Sequence, residues 1–316
     1  MLNGDIMETV NQVYPAWMKF GTILDNPKTA KEAMISAGLD YKVVKKPVFA
    51  HVGKNYFEAK SKFATVREDT KQVLGVVGSR YSIIQNVDAF GFFDMIVSRG
   101  EASYEIAGRL GNGERIWMLV RLSDNMWIQG IDEVHKYLLV INSHDGIAPI
   151  VVKFSPVRAL NSAMLHASIR GVGLQVKIKH TPNTKDKFRE AHRVMGSANK
   201  FFTDMSKVYH KMSTTPVSDM QIAEFVRRIL PEGVGEYKTR LENSRGRMLE
   251  YIYHGDGQDM ITANNTLWGL YCGIVSYADY GRVYRGGEEE KLDSMWLGSG
   301  FLFKQKAFDL ALSMLN

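Results

Sequence analysis

The chain has 316 residues, 45% of them apolar, which is enough to bury the core of one large domain or two modest ones. Lys and Arg number 40 against 34 Asp and Glu, and the resulting net charge of +6 is a mild bias toward polyanionic partners. The single cysteine, Cys272, excludes an intrachain disulfide, and no apolar run approaches the roughly 18 residues of a membrane span, so we expect a cytoplasmic protein with no membrane partner.

Residues 1–70 predict an N-terminal helix followed by short strands. Thr29 and Glu32 have the spacing of a capping box, and Gly38 lies where a helix commonly ends, so a helix is expected over residues 30–37. The segment that follows is rich in β-branched and aromatic residues, which is typical of strands. Short strands are predicted over residues 41–44, 47–52 and 56–66, with a turn at residues 53–55.

Residues 71–180 predict an α+β core, because strand signals come in runs with helices inserted. The turn Gly111-Asn112-Gly113 lies between two alternating segments and predicts a hairpin, since Asn and Gly tolerate positive φ angles. Strands are predicted over residues 73–77, 81–84, 103–110, 115–122, 136–142 and 174–179, and helices over 87–97 and 157–169. The expected fold class is α+β, with a mainly antiparallel sheet core and inserted helices.

Residues 181–316 predict a helical C-terminal region with one long helix. Phe188, Met195 and Phe202 recur at seven-residue intervals, which indicates an apolar seam along that helix. The seam either packs on the chain's own core or joins the subunits of a homo-oligomer. The candidate oligomer seam consists of Phe188, Met195, Phe202, Met205 and Tyr209. Further helices are predicted over residues 218–229, 247–253, 265–280 and 304–315.

Positive charge is concentrated in residues 151–212, where twelve Lys and Arg stand against three Asp and Glu. This excess of nine is larger than the net charge of +6 of the whole chain. In the predicted strand over residues 174–179, alternation places Lys177 and Lys179 on one face and apolar residues on the other. We therefore expect one face of this strand to contact the core and the other to meet a polyanion.

The predicted strand over residues 115–122 carries a ladder of cationic and aromatic side chains. Arg115, Trp117 and Arg121 share one face of it, where the arginines can hold phosphates and the indole can stack on a base. This combination is typical of sites for single-stranded nucleic acid, whose bases are unpaired. The alternative is that Trp117 lies in the core and both arginines are solvated.

A further phosphate contact is predicted at the start of the helix over residues 157–169. Free N–H groups at a helix start attract phosphate, and Arg158 would hold the anion there. The cations of the site are expected to contact phosphates. The complete candidate nucleic-acid-binding site consists of Arg115, Trp117, Arg121, Lys153, Arg158, Lys177 and Lys179.

The motifs of enzymes and cofactor sites are missing from the sequence. The histidines lack zinc-type spacing, no cysteine pair exists, and no phosphate-binding loop with Lys-Ser or Lys-Thr occurs. Ser143, His144 and Asp145 are adjacent, whereas a catalytic triad assembles from residues distant in sequence. We therefore predict no enzymatic activity, no cofactor and no metal. A metal-dependent nuclease that uses Asp145, Asp256 or Asp259 is left open as an alternative.

Short motifs spread over nearly the whole chain resemble one known family. They include Gly78-Ser79-Arg80-Tyr81, Ser143-His144-Asp145-Gly146, Pro156-Val157-Arg158, Asn265-Thr266-Leu267-Trp268-Gly269 and Trp296-Leu297-Gly298-Ser299-Gly300. In this order they resemble the phage/plasmid-like proteins grouped as domain of unknown function nine-three-two. Residues 160–165 depart from the Cys-x-Asn-Thr-Leu pattern of that family.

The resemblance implies DNA recombination on a phage or plasmid type element, with a distant likeness to Rad-fifty-two-type annealing proteins. Such proteins form rings that hold single-stranded DNA in a basic groove without consuming a nucleotide. The resemblance and the residues together predict a single-stranded DNA-binding protein that promotes ATP-independent strand annealing as a homo-oligomer. The other alternative is a non-enzymatic structural or assembly protein of a mobile element.

Overall fold

The computed structural model describes residues 21–147, 150–161, 163–165, 175–178, 184–231, 237–284 and 286–315. Two antiparallel sheets occupy the N-terminal half of this part of the chain, and helices dominate the remainder. The predicted α+β class is therefore confirmed, with an antiparallel sheet core followed by a helical region. None of the described helices is both long and apolar enough to cross a lipid bilayer.

The N-terminal helix forms where its capping residues predict it. Helix α1 spans Ala30–Ser36, and the Thr29 hydroxyl accepts a hydrogen bond of 3.2 Å from the Glu32 amide. Glu32 in turn accepts a hydrogen bond of 2.8 Å from the Lys28 amide, just before the N-terminal cap of the helix. Strand β1, Thr22–Ile23, precedes this helix and pairs with the larger sheet.

The smaller sheet has three antiparallel strands. They are β2 (Val43–Val52), β3 (Asn55–Arg67) and β4 (Val73–Gly78), in the order β2-β3-β4. The two strands predicted over residues 41–44 and 47–52 thus form one continuous strand. Because β4 pairs with β3 only from Lys62 to Val66, most of the segment 46–62 projects beyond the third strand. We call residues 46–62 the ribbon.

The larger sheet has six strands in the order β1-β5-β6-β7-β8-β9, and every neighbouring pair is antiparallel. Its later strands are β5 (Ala102–Leu110), β6 (Arg115–Ile128), β7 (Asp132–Ser143), β8 (Ile150–Arg158) and β9 (Gln175–Ile178). The alternation predicted for β6 is confirmed, since Ile116 and Met118 lie in the main core. Trp117 and Leu119 lie in a second, smaller core on the opposite face. The sheet is therefore covered on both faces.

The prediction of a helix over residues 157–169 is wrong at its start, because Pro156 and Arg158 belong to strand β8. Strand β9 pairs only with the first four residues of β8, so Pro156, which has no N–H to donate, lies outside that pairing. The chain then turns back, with bonds from the Arg158 amide to the Ala163 carbonyl and from the Leu165 amide to the Pro156 carbonyl. The helix-start phosphate site predicted at Arg158 does not form.

The strand predicted over residues 81–84 is also wrong. In this segment, hydrogen bonds between side chains and the backbone take the place of the backbone hydrogen bonds of a strand. The Gln85 side chain accepts from the Val43 amide at 3.1 Å and donates to the Val43 carbonyl at 2.9 Å. The Tyr81 hydroxyl donates to the Ser143 carbonyl at 3.0 Å. These bonds fix the connection between the two sheets without regular structure.

The helix predicted over residues 87–97 forms in short pieces. They are α2 (Asn86–Phe90), a 3₁₀ turn (Gly91–Phe93) and α3 (Asp94–Ser98). The helical region contains α4 (Thr184–Ser213), α5 (Asp219–Ile229), α6 (Tyr237–His254), α7 (Leu267–Ser276), a π turn (Tyr277–Gly281), α8 (Glu288–Trp296) and α9 (Ser299–Ser313). Helix α4 confirms the predicted long helix, whereas α8 lies outside every predicted helix.

The apolar seam of α4 faces the core of its own chain. Phe202, Met205 and Tyr209 are at most 1% exposed, and Met195 packs against the same core. The side chain of Phe188 lies outside the described residues. Because this surface is used within the chain, the interpretation of these residues as an oligomer seam is corrected. The homo-oligomer itself stays a prediction.

Truncation of Met205 tests the internal seam. Met205→Ala should lower the free energy of unfolding by about 2–4 kcal/mol, because it removes a fully buried side chain and leaves a cavity. The sedimentation coefficient of the native protein should not change. Met220→Ala on α5 is the matched control, since Met220 is 83% exposed, and it should cost less than about 0.5 kcal/mol. A changed oligomeric state at unchanged stability in Met205→Ala would contradict the internal packing.

Candidate nucleic-acid interface

Both arginines of the predicted ladder on β6 are held by carboxylates. Arg115 contacts Asp145 at 3.3 Å and Asp293 of α8 at 3.2 Å. Arg121 contacts Glu105 at 3.4 Å, and the two arginine side chains are 30% and 33% exposed. A phosphate at this ladder would compete with three carboxylates. The ladder is therefore not an open cationic surface.

Trp117 lies in the interior of the protein. It has no exposed surface, and its ring meets that of Trp296 edge-on with the centroids 4.7 Å apart. Neither indole N–H has a hydrogen-bond partner in the described part of the chain, so packing alone holds the two rings. A base cannot reach the Trp117 ring in this structure, and the alternative of a core tryptophan is the correct one.

Lys153 points into a cavity of about 30 Å³ between β8, α8 and α9. Its Nζ donates to the Trp296 carbonyl at 2.9 Å and lies 4.2 Å from the centre of the Phe301 ring. Burial, followed by the nearby charge of Lys304, lowers the pKa of Lys153 to about 8. The predicted phosphate contact at Lys153 is thus replaced by internal contacts.

Arg158 forms a buried ion pair with Asp132. Its Nε lies 2.9 Å from Oδ1 and its Nη2 lies 2.6 Å from Oδ2, and the two side chains are 0% and 1% exposed. Asp132 also accepts the Trp268 indole N–H at 2.8 Å and the Thr262 hydroxyl at 3.1 Å. The Gly257 carbonyl accepts a hydrogen bond of 3.1 Å from Nη2 of Arg158. We call this group the Asp132 hub, and it leaves Arg158 no surface for a phosphate.

Lys177 is exposed on the edge strand β9, beside the buried Val176, so the alternation predicted for this strand is confirmed. Lys179 lies outside the described residues. Of the six predicted site residues that the structure describes, Lys177 alone is an exposed cation. The structure therefore does not bring the predicted residues together in one open groove.

A longer basic surface lies next to Lys177, along the outer face of α4. The Arg193 guanidinium donates to the Lys177 carbonyl at 3.0 Å, which joins the helix to the edge strand. The exposed cations, which we call the basic stripe, are Lys177, Arg189, Arg193, Lys200, Lys207 and Lys211. From residue 189 to residue 211 the stripe extends about 33 Å, at about 1.5 Å of helix per residue.

Few acidic groups oppose the basic stripe. Glu190 pairs with Arg193. Asp204 lies 3.8 Å from Lys207, whose side chain is 74% exposed. Exposed pairs of this kind contribute about 0–1 kcal/mol, so a polyanion can displace them. The seven-residue spacing of Arg193, Lys200 and Lys207 follows the spacing of the buried seam, and it is the sequence signal that could have located the stripe.

The adjacent Ser143, His144 and Asp145 belong to a joint between the two sheets. The buried His144 ring shares a hydrogen bond of 2.6 Å with Asn86, and the His144 carbonyl accepts the Thr65 hydroxyl at 2.7 Å. Asp145 turns instead to the arginine ladder, so the three side chains do not align as a triad. Within the described ranges, no three His, Cys, Asp or Glu side chains are grouped as metal ligands.

The buried His144 gives stability a defined dependence on pH. Burial lowers its pKa to about 4, whereas an unfolded histidine titrates near pH 6.5. Below about pH 6.5 the unfolded state therefore binds the proton first, and stability falls by up to about 3 kcal/mol as the pH drops to about 4. Urea unfolding should show that His144→Gln flattens this loss, whereas the exposed His254→Gln keeps it. Equal losses in His144→Gln and the wild type would contradict this assignment.

Removal of the cation from the Asp132 hub tests its structural role. Arg158→Met should lower the free energy of unfolding by about 3–5 kcal/mol, because Asp132 becomes an unpaired buried charge. The double variant Asp132→Asn/Arg158→Met should recover part of this loss, and unfolding in urea measures both. Normal stability combined with weaker nucleic-acid binding in Arg158→Met would instead support the phosphate contact predicted from the sequence.

The region around the Asp132 hub matches a known family model. Residues 73–296, from β4 to α8, match the family described as Domain of unknown function (DUF932). The ribbon and α9 lie outside the matched residues. No curated protein and no solved structure matches the chain significantly. The phage or plasmid setting and the likeness to annealing proteins stay predictions. Because the match covers well over half of its length, the chain belongs to the DUF932 family.

Proposed function

We propose that the chain binds single-stranded DNA along the basic stripe and promotes ATP-independent annealing of complementary strands in recombination of a phage or plasmid type element. The observation that supports this proposal most directly is the row of exposed cations on α4 and β9. A phosphate backbone is a polyanion that suits such a row, because each neutralised phosphate releases condensed counterions.

The spacing of the basic stripe favours an extended backbone over a small anion. Arg193, Lys200 and Lys207 follow one another at intervals of about 10 Å, which is two helical turns. A free phosphate can contact only one of these cations at a time, whereas one strand can contact all of them. Affinity should therefore rise with the length of the strand.

The proposed path of the strand differs from the ladder predicted from the sequence. Arg115 and Arg121 face carboxylates, and Arg158 belongs to the Asp132 hub. Lys177 is the one described residue that the two paths share. The predicted function is kept, and its location moves from the covered face of the sheet to the outer face of α4.

Removal of two cations from the stripe tests the proposal. Lys200→Ala/Lys207→Ala should weaken binding of a labelled 30-nucleotide strand and lower the slope of log affinity against log salt by about 1.4, since each neutralised phosphate of a single strand contributes about 0.7. Annealing of complementary oligonucleotides without ATP should slow in parallel. Fluorescence anisotropy over a salt titration measures the binding.

The matched control removes two exposed lysines from other helices. Lys31→Ala/Lys238→Ala, on α1 and α6, has the same change in net charge and should keep the wild-type slope. An equal slope in the stripe variant and the wild type would reject the stripe as the DNA path. Absence of binding by the wild type at low salt would reject the proposed function and favour an assembly protein.

A further inference from the structure

The ribbon is exposed to solvent on all sides. No residue from 46 to 62 is buried, and all but Val48 and Ala59 are largely exposed. Its tip is a tight turn in which Gly53 adopts a φ of 63°, a backbone conformation that residues with a side chain rarely adopt. A two-stranded hairpin is marginally stable in water by itself, so a bound partner would stabilise this projection.

Large aromatic side chains of the ribbon face solvent. Phe49, Tyr56 and Phe57 are 52%, 70% and 56% exposed. The strand register places Phe49 and Tyr56 on one face and Phe57 on the other. His51 stacks on Tyr56 with the ring centroids 4.7 Å apart, which extends the aromatic surface on the first face. Such rings offer flat apolar surfaces on both sides of one thin element.

The charge of the ribbon is strongly positive. It contains four lysines and a single acidic residue, and these are Lys46, Lys54, Lys60, Lys62 and Glu58. All five are exposed, and none of them forms an ion pair with another described residue. An acidic partner is therefore favoured, and a second ribbon is disfavoured because like charges would meet.

We infer that the ribbon is a second site for single-stranded nucleic acid, at which unpaired bases stack on Phe49, Tyr56 and Phe57 while lysines hold the phosphates. Aromatic stacking tolerates any base sequence, and it requires bases that are free of a duplex. This inference rests on the proposed function and deepens it. The described Phe and Tyr side chains of α4 are buried, so its basic stripe can hold phosphates of either a duplex or a single strand.

Two separate sites suit an annealing protein. A strand on the basic stripe is held by its backbone, which leaves its bases free to pair. A second strand on the ribbon is selected because it is unpaired. The duplex that forms no longer offers base faces to the ribbon, so the product is released from this site while the complementary strands are not.

Removal of the three rings tests the inference. Phe49→Thr/Tyr56→Thr/Phe57→Thr keeps residues that favour strands and changes no charge. The variant should lose about tenfold or more in affinity for a 30-nucleotide thymidine strand, with little change in affinity for a duplex of equal length or in the salt slope. Trp127→Thr is the control, because Trp127 is an exposed strand aromatic outside the ribbon, at 51% exposure.

A conservative variant gives a direct signal of stacking. Tyr56→Trp should retain affinity for the thymidine strand, and the emission of the new indole should be quenched on binding. Thermal unfolding of every variant shows that the fold is kept. Wild-type affinity in the triple variant, or unquenched emission at saturation, would overturn the inference.

The proposed function and the inference fail in different ways. If the ribbon variant binds normally while the stripe variant loses salt dependence, the inference is overturned and the proposed function stands. If the stripe variant keeps its slope while the ribbon variant loses single-strand affinity, the inference stands without the stripe. A triple variant whose sole change is a smaller sedimentation coefficient would identify the ribbon as a contact between subunits and overturn the inference.

Discussion

The ion pair between Asp132 and Arg158 is the contact on which the joining of sheet and helices depends. Burial of two charges costs several kcal/mol per ion, so the pair is stable only with further hydrogen bonds. These come from Trp268 on α7 and from Thr262 and Gly257 in the preceding loop. Because either charge alone would be strongly unfavourable in this position, β7, β8 and α7 have to assemble together. The same requirement prevents Arg158 from serving a ligand.

A second buried ion pair, between Lys304 and Asp279, anchors α9, which follows the helix that covers the other face of the sheet. Lys304 of α9 donates to Asp279 at 2.8 Å and to the Met164 carbonyl at 3.1 Å. Asp279 also accepts the Met164 amide at 3.0 Å, so the segment after β8 is fixed to the π turn and α9. Helix α8 lies directly before α9, and its Trp296 packs edge-on against Trp117. The face that carries the arginine ladder is thereby largely covered, with Trp117 fully buried.

Signals from residues close in sequence predict the elements, whereas the accessibility of the cations depends on distant residues. The alternation of β6 and the seam of α4 are local patterns, and both are confirmed. The environment of Arg115, in contrast, depends on Asp293, which is 178 positions away. Leu292, Met295 and Trp296 have the spacing of a helix face, which is a signal for α8. That spacing does not say which surface the helix covers, so the burial of the ladder could not be predicted.

The buried pairs also divide the cations of the chain by their chemistry. Arginine suits the Asp132 hub because its planar guanidinium makes several bonds to one carboxylate, whereas the cations of the ribbon are all lysines, whose compact charge stays hydrated. Exposed charge alone cannot discriminate a single strand from a duplex, because both present phosphates. Discrimination requires a group that meets the base faces, and Phe49, Tyr56 and Phe57 place such groups among the ribbon lysines. The ribbon, which lies outside the family match, therefore carries the groups that the proposed selection of unpaired strands requires.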